Sequence, residues 1–254
     1  MTPFEAHLLD PGQEVPLQGI RSMRSVMWGH AWQIGSAAYW VERTRQSAGD
    51  HPNRHRLGSD LREEVAACVI GGFGMPYELG LAAYNEVKNQ LNLTALPSQD
   101  DIEGVLRQPL SVGGSIRRYR FPRQRAERLA AALAYIGKTD TNLMGNREMR
   151  DWLLGAPGIG LKTASWIVRN IRSSAEVAVL DIHVLRAGAR AGVFPEQPAI
   201  HRQYLELEAF FLSWASVGQV PAGDLDAAIW AEMADWSRSK SRRQLVVSGH
   251  GQDQ

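Results

Sequence analysis

One segment, LLGAPGIGLKTASWIVRNIRSSAEVAVLDIHVLR at residues 153–186, constrains the fold more than any other part of the chain. It places a glycine-rich turn between two stretches of helical character. After the turn, apolar residues recur at the spacing of one helix face: Ala164, Ile167, Val168 and Ile171. Pro157 sets a turn, and Gly158 and Gly160 accept positive φ angles. The segment therefore predicts two helices joined by a tight hairpin.

The hairpin can also serve as a binding element. Backbone N–H groups of Gly158 and Gly160 would lie at the start of the helix after Gly160, where the helix dipole attracts an anion. A hairpin that offers amides to a phosphate is a sequence-independent way of holding DNA. The alternative is a plain corner between two helices that needs glycine for steric reasons.

Two residues of this segment carry chemistry. Lys162 falls in the first turn of the second helix, where the dipole disfavours a cation and so favours a nucleophilic amine. Asp181 follows 19 positions later, two residues before His183, and is a good N-cap for a further helix. A solvated lysine and a capping aspartate are the ordinary alternatives. Their joint occurrence with the hairpin favours an active site.

Composition excludes several classes of protein. With 254 residues, 44% of them hydrophobic, the chain can form one large domain or two small ones. It contains no run of 18 apolar residues, and its first ten residues lack a signal-peptide pattern. The single cysteine, Cys68, excludes an intramolecular disulfide and any four-cysteine cluster, and is expected to be a buried thiol. These features favour a reducing, cytoplasmic setting.

The charge is distributed unevenly. Net charge is only +1, yet residues 117–128 hold six arginines and one glutamate, and residues 236–243 hold four basic side chains and no acid. Arginines interleaved with Tyr119 and Phe121 suit nucleic acid, so Arg120 and Arg123 are predicted DNA contacts. The alternative is a solvated charged face.

The periodicity predicts an all-α protein with minimal strand content. The segment LSVGGSIRRYRFP at residues 110–122 is predicted to be a loop, and Trp32 and Trp40 are predicted core residues. Residues 245–254 are predicted to be a flexible tail. The predicted helices cover residues 21–47, 61–70, 77–91, 101–107, 123–136, 147–154, 161–171, a helix from near Asp181, 203–217 and 224–236.

The motif PGIGLKTASWIVRN…VLDIHVLR resembles the helix-hairpin-helix DNA glycosylases, and its lysine and Asp-x-His ending are most similar to the 8-oxoguanine DNA glycosylases. RFPRQRAERL, DLDAAIWAEM and GGFGMPYELGLAAY extend the resemblance to about 60% of the chain. Endonuclease III relatives also carry the lysine and aspartate, but usually with a four-cysteine cluster that this chain cannot build. Ala156 stands where the hairpin commonly has leucine, which we expect to loosen its packing and leave the amides intact.

The resemblance implies a mechanism. Lys162 would attack the sugar C1′, displace the base and form a Schiff base, and β-elimination would nick the strand. Asp181 would stabilise the positive charge that develops at C1′ and help to activate the amine. Hairpin amides of Gly158 and Gly160, with His183, would hold phosphates beside the lesion. No metal or cofactor is required for bond cleavage, although hairpin carbonyls would share a monovalent cation with the phosphate.

The resemblance also implies a base pocket. Asp226 and Trp230 share a helix face, where a carboxylate can accept from the N1–H and N2–H₂ edge of guanine and an indole can stack. Gln33 would add an amide contact, and Phe73 would wedge the base stack. Core packing of Trp230 and a buried loop position for Phe73 are the alternatives.

We therefore expect a single glycosylase unit, residues 1–254, made of two helical subdomains with the active cleft between them. Its hairpin and catalytic segment would span residues 147–186. The expected partner is double-stranded DNA with an oxidised purine, bound by a monomer associated with the nucleoid and not with a membrane. The rival hypotheses are the same fold acting on another base or nucleic acid, and a non-catalytic DNA-binding module.

Overall fold

A computed structural model describes residues 9–47, 55–72 and 74–249 of the chain. Within those ranges the strands are β1 (Glu14–Gln18), β2 (Met23–Met27), β3 (Leu110–Val112) and β4 (Ser115–Arg117). The helices are α1 (Ala37–Ser47), α2 (Leu61–Ile70), α3 (Tyr77–Gln90), α4 (Gln99–Leu106), α5 (Pro122–Ile136), α6 (Asn146–Leu153), α7 (Leu161–Arg172), α8 (Ile182–Arg190), α9 (Ile200–Val217) and α10 (Ala222–Gly249), with a 3₁₀ turn at Leu93–Ala95.

The chain divides into two compact units. The terminal unit combines residues 1–50 with residues 178–254, and the central unit comprises residues 51–177. Helices α2 to α7 belong to the central unit, whereas α1 and α8 to α10 belong to the terminal unit.

The central unit is built around α2. Residues 64–70 of this helix are all buried, and the helix packs against α3, α5 and α7. The last six residues of α2, 65–70, are apolar on every side of the helix and need neighbours on every side, which explains its central place. Asp60 starts α2 by accepting a hydrogen bond from the Glu63 amide at 2.9 Å.

The terminal unit joins a β-hairpin to four helices. In the antiparallel pair β1–β2, Val15 lies opposite Val26, and both side chains face the core with Leu17. Helix α9 packs on β1, while α10 contacts α1, α8 and α9. The fully buried Trp40 of α1 confirms one of the two predicted core tryptophans.

Most of the predicted helices are confirmed, but two predictions of local structure were wrong. Residues 23–27 form β2 and only residues 37–47 form α1, so a helix over 21–47 is incorrect in its first half. Residues 110–117 form a β3–β4 hairpin rather than a loop. The turn between those strands contains Gly113 and Gly114 with φ of 57° and 75°, the geometry of a tight hairpin turn.

Helix α10 continues to Gly249, so the first five residues of the predicted tail 245–254 are helical. Residues 250–254 lie outside the described part of the chain. Among the described helices, none has both the length and the hydropathy that crossing a bilayer requires.

Candidate active site

The predicted hairpin lies between α6 and α7. Its turn is closed by the Ala156 amide, which donates to the Leu153 carbonyl at 3.0 Å, and by the Ile159 amide, which donates to Ala156 at 3.1 Å. Ala156 is buried, which shows that the smaller residue is still packed. Gly158 has φ of +81°, as predicted. Gly160, which could also accept a positive φ, instead has an extended conformation with φ of −102° and is the N-cap of α7.

The hairpin leaves backbone donors open. Helix α7 begins without a side-chain cap, because Gly160 has no side chain to offer. Within the described ranges, the amides of Gly158 and Gly160 donate to no protein acceptor. A Cβ at Gly160 would meet no atom within 4 Å, so the space in front of it is open. Open amides at a helix start form an anion site.

Lys162 is the second residue of α7 and is half-buried. Its Nζ lies 5.8 Å from the centre of the Trp166 ring, one turn further along the helix. Within the described ranges the ammonium forms no ion pair with a carboxylate. An aromatic face orients the amine without neutralising it.

Asp181 is the N-cap of α8, as predicted. Its Oδ1 accepts from the amides of His183 at 2.9 Å and Val184 at 2.8 Å. The side chain therefore stays fixed at the end of the buried segment Val177–Leu180. Capping uses one carboxylate oxygen, and the part of the chain that is described supplies no hydrogen bond to Oδ2.

His183 is the second residue of α8 and is half-buried, and its ring Nδ1 is enclosed without a hydrogen-bond partner in the described ranges. Its Nε2 is the ring nitrogen left for a contact with phosphate.

The predicted base-pocket residues differ in exposure. Asp226 is 4% exposed and lies one helical turn before the half-buried Trp230 on α10, so both belong to one stripe of the helix. A carboxylate buried to this degree needs a specific function or partner. Gln33 is exposed on the loop between β2 and α1, where its side chain is available to a ligand.

Trp32 was wrongly predicted to lie in the core. It is 76% exposed and stacks on His30, with ring centres 4.8 Å apart. The loop is held by Ser36, which donates through Oγ to the His30 carbonyl at 2.8 Å. The run of aromatic residues suggested burial, but a turn rather than a helix places this indole outside.

The predicted DNA contacts of the central unit are exposed. Arg123 has an exposed side chain, and Arg120, also exposed, donates a long hydrogen bond to the Gly74 carbonyl at 3.4 Å. Tyr119 is buried and donates to the Ile70 carbonyl at 2.6 Å, so it is unavailable for stacking on a base. Phe73 and the basic side chains of residues 238–243 lie outside what the structure describes.

A buried polar network behind the hairpin was missed from the sequence. Glu64 is fully buried, and its carboxylate accepts from the amides of Leu57 and Gly58 and, at 2.5 Å, from the Asn170 side chain. It thereby ties α2 to the helix that carries Lys162. Cys68 lies one turn further along α2, where burial raises the pKa of its thiol well above the usual range, as expected for a structural thiol. A glutamate directly before the apolar run Val65–Ile70 is the signal that could have indicated the network.

Among the described residues, no three His, Cys, Asp or Glu side chains are grouped to hold a metal ion.

Comparison with known proteins agrees with this geometry. A family model described as 8-oxoguanine DNA glycosylase matches residues 50–219. An 8-oxoguanine DNA glycosylase/AP lyase of Metallosphaera sedula is 33% identical over 116 residues, covering 44% of this chain and 57% of the relative. The enzyme of the same name from Thermotoga maritima is 32% identical over 175 residues, covering 67% of this chain and 78% of the relative.

Solved structures give the same result. The 8-oxoguanine DNA glycosylase of Thermotoga maritima matches with a TM-score of 0.54 and 26% identity, over 76% of this chain and 86% of that one. The Methanocaldococcus jannaschii 8-oxoguanine glycosylase/lyase, solved with DNA containing 8-oxoguanine, shares the fold with a TM-score of 0.55 at 22% identity, over 76% and 87% of the two chains. Hairpin, lysine, capping aspartate and family match agree, and the chain belongs to the 8-oxoguanine DNA glycosylase family.

Proposed function

We propose that this protein is a bifunctional DNA glycosylase and AP lyase that excises 8-oxoguanine from duplex DNA. The observation that carries the proposal is the hairpin with open amides followed by Lys162 in the first turn of α7. A protein that only bound DNA would need the amides but neither the lysine nor Asp181. Because its substrate is duplex DNA, it would work at the nucleoid, and we propose that it does so as a monomer.

Phosphate binding would position the DNA. The amides of Gly158 and Gly160 and the Nε2 of His183 would hold phosphates that flank the lesion, once the damaged nucleotide is flipped out of the stack. Carbonyls of Pro157 and Gly158 accept no backbone hydrogen bond within the described ranges, and oxygen ligands suit a hard cation. These two carbonyls would hold a monovalent cation, which supplies further attraction for the phosphate.

Lys162 would then act as the nucleophile. Its neutral amine attacks C1′, the bond from C1′ to the base breaks, and the base leaves with the bonding electrons and takes up a proton. Opening of the sugar ring gives the Schiff base, and loss of a C2′ proton expels the 3′ phosphate, which nicks the strand. Asp181 would stabilise the positive charge that builds up at C1′.

Asp226 would select the base. Its carboxylate accepts hydrogen bonds from the N1–H and N2–H₂ groups of a guanine edge, whereas adenine offers an acceptor at N1. Trp230 would stack on the ring, and Gln33 would add an amide contact from its exposed loop.

Borohydride trapping on duplex DNA with one 8-oxoguanine tests the assignment. The wild-type protein should form a covalent adduct, whereas Lys162→Gln should bind the same duplex and form none, because the amide side chain cannot make a Schiff base. Lys138→Gln, which changes an exposed lysine after α5, is the control and should be trapped like the wild type. Undiminished trapping of Lys162→Gln would refute the role of Lys162.

A further inference from the structure

The loop between β2 and α1, residues 28–36, presents an aromatic pair to solvent. Trp32 stacks on His30, with ring centres 4.8 Å apart and an angle of 22° between the ring planes. The imidazole covers one face of the indole, yet Trp32 is still 76% exposed, so the opposite face is open to water. Contact between water and an apolar ring is unfavourable, and a planar group that covered this face would remove it.

The loop is held in one conformation by its own hydrogen bonds. The Gln33 amide donates to the His30 carbonyl, and the Ser36 amide donates to the Gln33 carbonyl, both at 3.0 Å. The Ser36 hydroxyl donates to the same His30 carbonyl at 2.8 Å. Gly29 and Gly35, with φ of 77° and 89°, allow the bends at either end. The backbone that carries the indole therefore need not reorganise when a ligand binds.

Helix α8 places cations beside this loop. Arg186 and Arg190 follow His183 at spacings of three and seven residues, so the three side chains share one face of the helix. Both arginines are exposed, and within the described ranges neither forms an ion pair with a carboxylate. Neither α8 nor the loop contains an acidic residue.

Arg190 connects this basic face to the aromatic loop. A Cβ added at Gly35 would lie 2.6 Å from Nε and 2.8 Å from Cδ of Arg190, so the arginine packs directly on the loop. Seven residues of an α-helix span about 10 Å, which is comparable to about three base steps of a nucleic-acid strand. The terminal unit thus carries a basic face that leads from His183 to the loop that holds Trp32.

We propose that Trp32 stacks on an unpaired nucleobase, and that Arg186 and Arg190 contact the phosphates beside it. An aromatic face that accepts a base, combined with guanidinium groups that pair with phosphate, is the chemistry by which proteins hold unpaired nucleotides. In an intact duplex the neighbouring bases cover both faces of each base. Only an unpaired base has a face left for the indole.

The inference rests on the proposed function for the source of that base. Flipping a nucleotide out of a duplex leaves two bases without a partner, namely the flipped base and the orphan base opposite it. Both offer the same flat ring to Trp32, and duplexes that contain one or neither of them distinguish the two sources.

The test measures the Kd of the full-length protein for three duplexes that it cannot readily cut. The first pairs a tetrahydrofuran abasic-site analogue with cytosine, so its one unpaired base is the orphan. The second has the analogue in both strands and therefore no unpaired base. The third pairs cytosine with an 8-oxoguanine nucleotide whose 2′-fluorine opposes positive charge at C1′ and so slows excision.

The variants are Trp32→Leu, which removes the aromatic face, and Trp32→Phe, which keeps one. Loss of a base–aromatic stack should weaken binding by about 10-fold in Trp32→Leu, and Trp32→Phe should retain most of the affinity. Met23→Ala removes another exposed apolar side chain of the same unit and should bind like the wild type. Because Trp32 is exposed, the Tm of Trp32→Leu should match that of the wild type; should it unfold, Trp32→Gln provides a second variant.

The pattern of losses identifies the base. A loss in Trp32→Leu on the first duplex that is absent from the second would identify the orphan base. A loss confined to the third duplex would identify the flipped base. Equal losses on all three duplexes, no loss on any, or a Trp32→Phe that binds no better than Trp32→Leu would overturn the stacking proposal.

A KCl series on the first duplex tests the arginines. Arg186→Met and Arg190→Met should each lower the slope of log Kd against log salt by about 0.9, the effect of one lost phosphate contact. Methionine keeps an unbranched stem, so Arg190→Met still packs on Gly35. Lys138→Met, at an exposed lysine of the central unit, should keep the wild-type slope. Wild-type slopes in both arginine variants would overturn the phosphate contacts.

This inference and the proposed function fail separately. Excision of 8-oxoguanine by the wild type tests the glycosylase function, whereas the first two duplexes contain no base to excise and test only Trp32. A wild type that excised nothing but lost affinity for the first duplex on Trp32→Leu would keep the stacking site and refute the enzyme.

Discussion

Asp181 has an observed structural role that is compatible with the chemical role that we propose for it. Its Oδ1 accepts two backbone hydrogen bonds at the start of α8, which fixes the carboxylate in one orientation. A carboxylate fixed in this way needs no reorganisation when positive charge develops nearby, and preorganised charge is an efficient source of catalysis. The capping role, which is the ordinary function of an aspartate at a helix start, is thus compatible with the proposed catalytic role.

We expect Asp181→Asn to separate these two roles. Asparagine caps helices as well as aspartate, so the free energy of unfolding should change by less than about 0.5 kcal/mol. Base excision should fall by about 100-fold or more, since the amide carries no charge to stabilise the cation. Urea denaturation and single-turnover excision measure the two effects. Wild-type excision in Asp181→Asn would reduce the residue to a cap.

At the scale of elements, helices were predictable where their signals are local. Ser98 and Asp101 form the capping box of α4, and Asp181 begins α8. Strand β2 was not predictable in this way, because its Met, Arg and Ser residues suit a helix as well as a strand. Pairing with β1 and burial of Val26 stabilise the strand, and both depend on residues distant in the sequence. For β3–β4 the Gly113–Gly114 pair is a local signal for a hairpin turn, although the segment was predicted to be a loop.

Only those parts of the site that depend on local sequence could be predicted. Hairpin, lysine and aspartate were found because they lie in one continuous segment. Arg128 of α5 packs on Gly158 of the hairpin, and nothing in the sequence indicates this contact, because the two residues lie far apart along the chain. Exposure of Trp32 depends on a turn held by Ser36, which periodicity alone does not reveal.

The ion pair between Glu63 of α2 and Lys88 of α3 should make the stability of the central unit sensitive to acid. Burial acts to raise the pKa of Glu63, but hydrogen bonds from Lys88 and Ser59 outweigh it and lower the pKa to about 2. Because the folded pKa lies below the ordinary value of 4.5, the stabilisation is fully present above that value and is lost as the pH falls through about 2.

We expect Glu63→Gln to lower the free energy of unfolding by about 2 kcal/mol at pH 7. The difference from the wild type should shrink below pH 4.5 and vanish only below pH 2, where the Glu63 carboxyl is protonated and both side chains are neutral. Urea denaturation across this range measures it, with Lys88→Met as the matched change at the partner. A difference that did not depend on pH would mean that Glu63 contributes packing rather than charge.

At the scale of the whole molecule, DNA affinity must come from where the basic residues lie and not from the net charge of the protein. The net charge is +1, while six arginines lie within residues 117–128. A nearly neutral protein whose basic residues are concentrated in two short segments binds through a small number of phosphates, and its affinity should depend on salt with a correspondingly modest slope.

Replacing both Arg120 and Arg123 with alanine should lower the slope of log Kd against log salt by about 1.8, if each residue contacts one phosphate. The loss should be equal for damaged and undamaged duplexes, because phosphate contacts carry no base information. Arg107→Ala, which removes an exposed arginine paired with Glu103 on α4, is the control. An unchanged slope in the double variant would place the segment on a solvated face away from DNA.

The exposed Trp32 also has a spectroscopic consequence. Trp28, Trp40 and Trp214 are buried, whereas Trp32 is 76% exposed and stacked on an imidazole. A collisional quencher such as acrylamide therefore reaches the Trp32 indole before the buried indoles. The emission of Trp32 is red-shifted by its exposure to water, which separates it from the emission of the buried tryptophans. Trp32 is therefore an intrinsic fluorophore on the loop that holds Gln33, and its fluorescence can follow that loop without any added label.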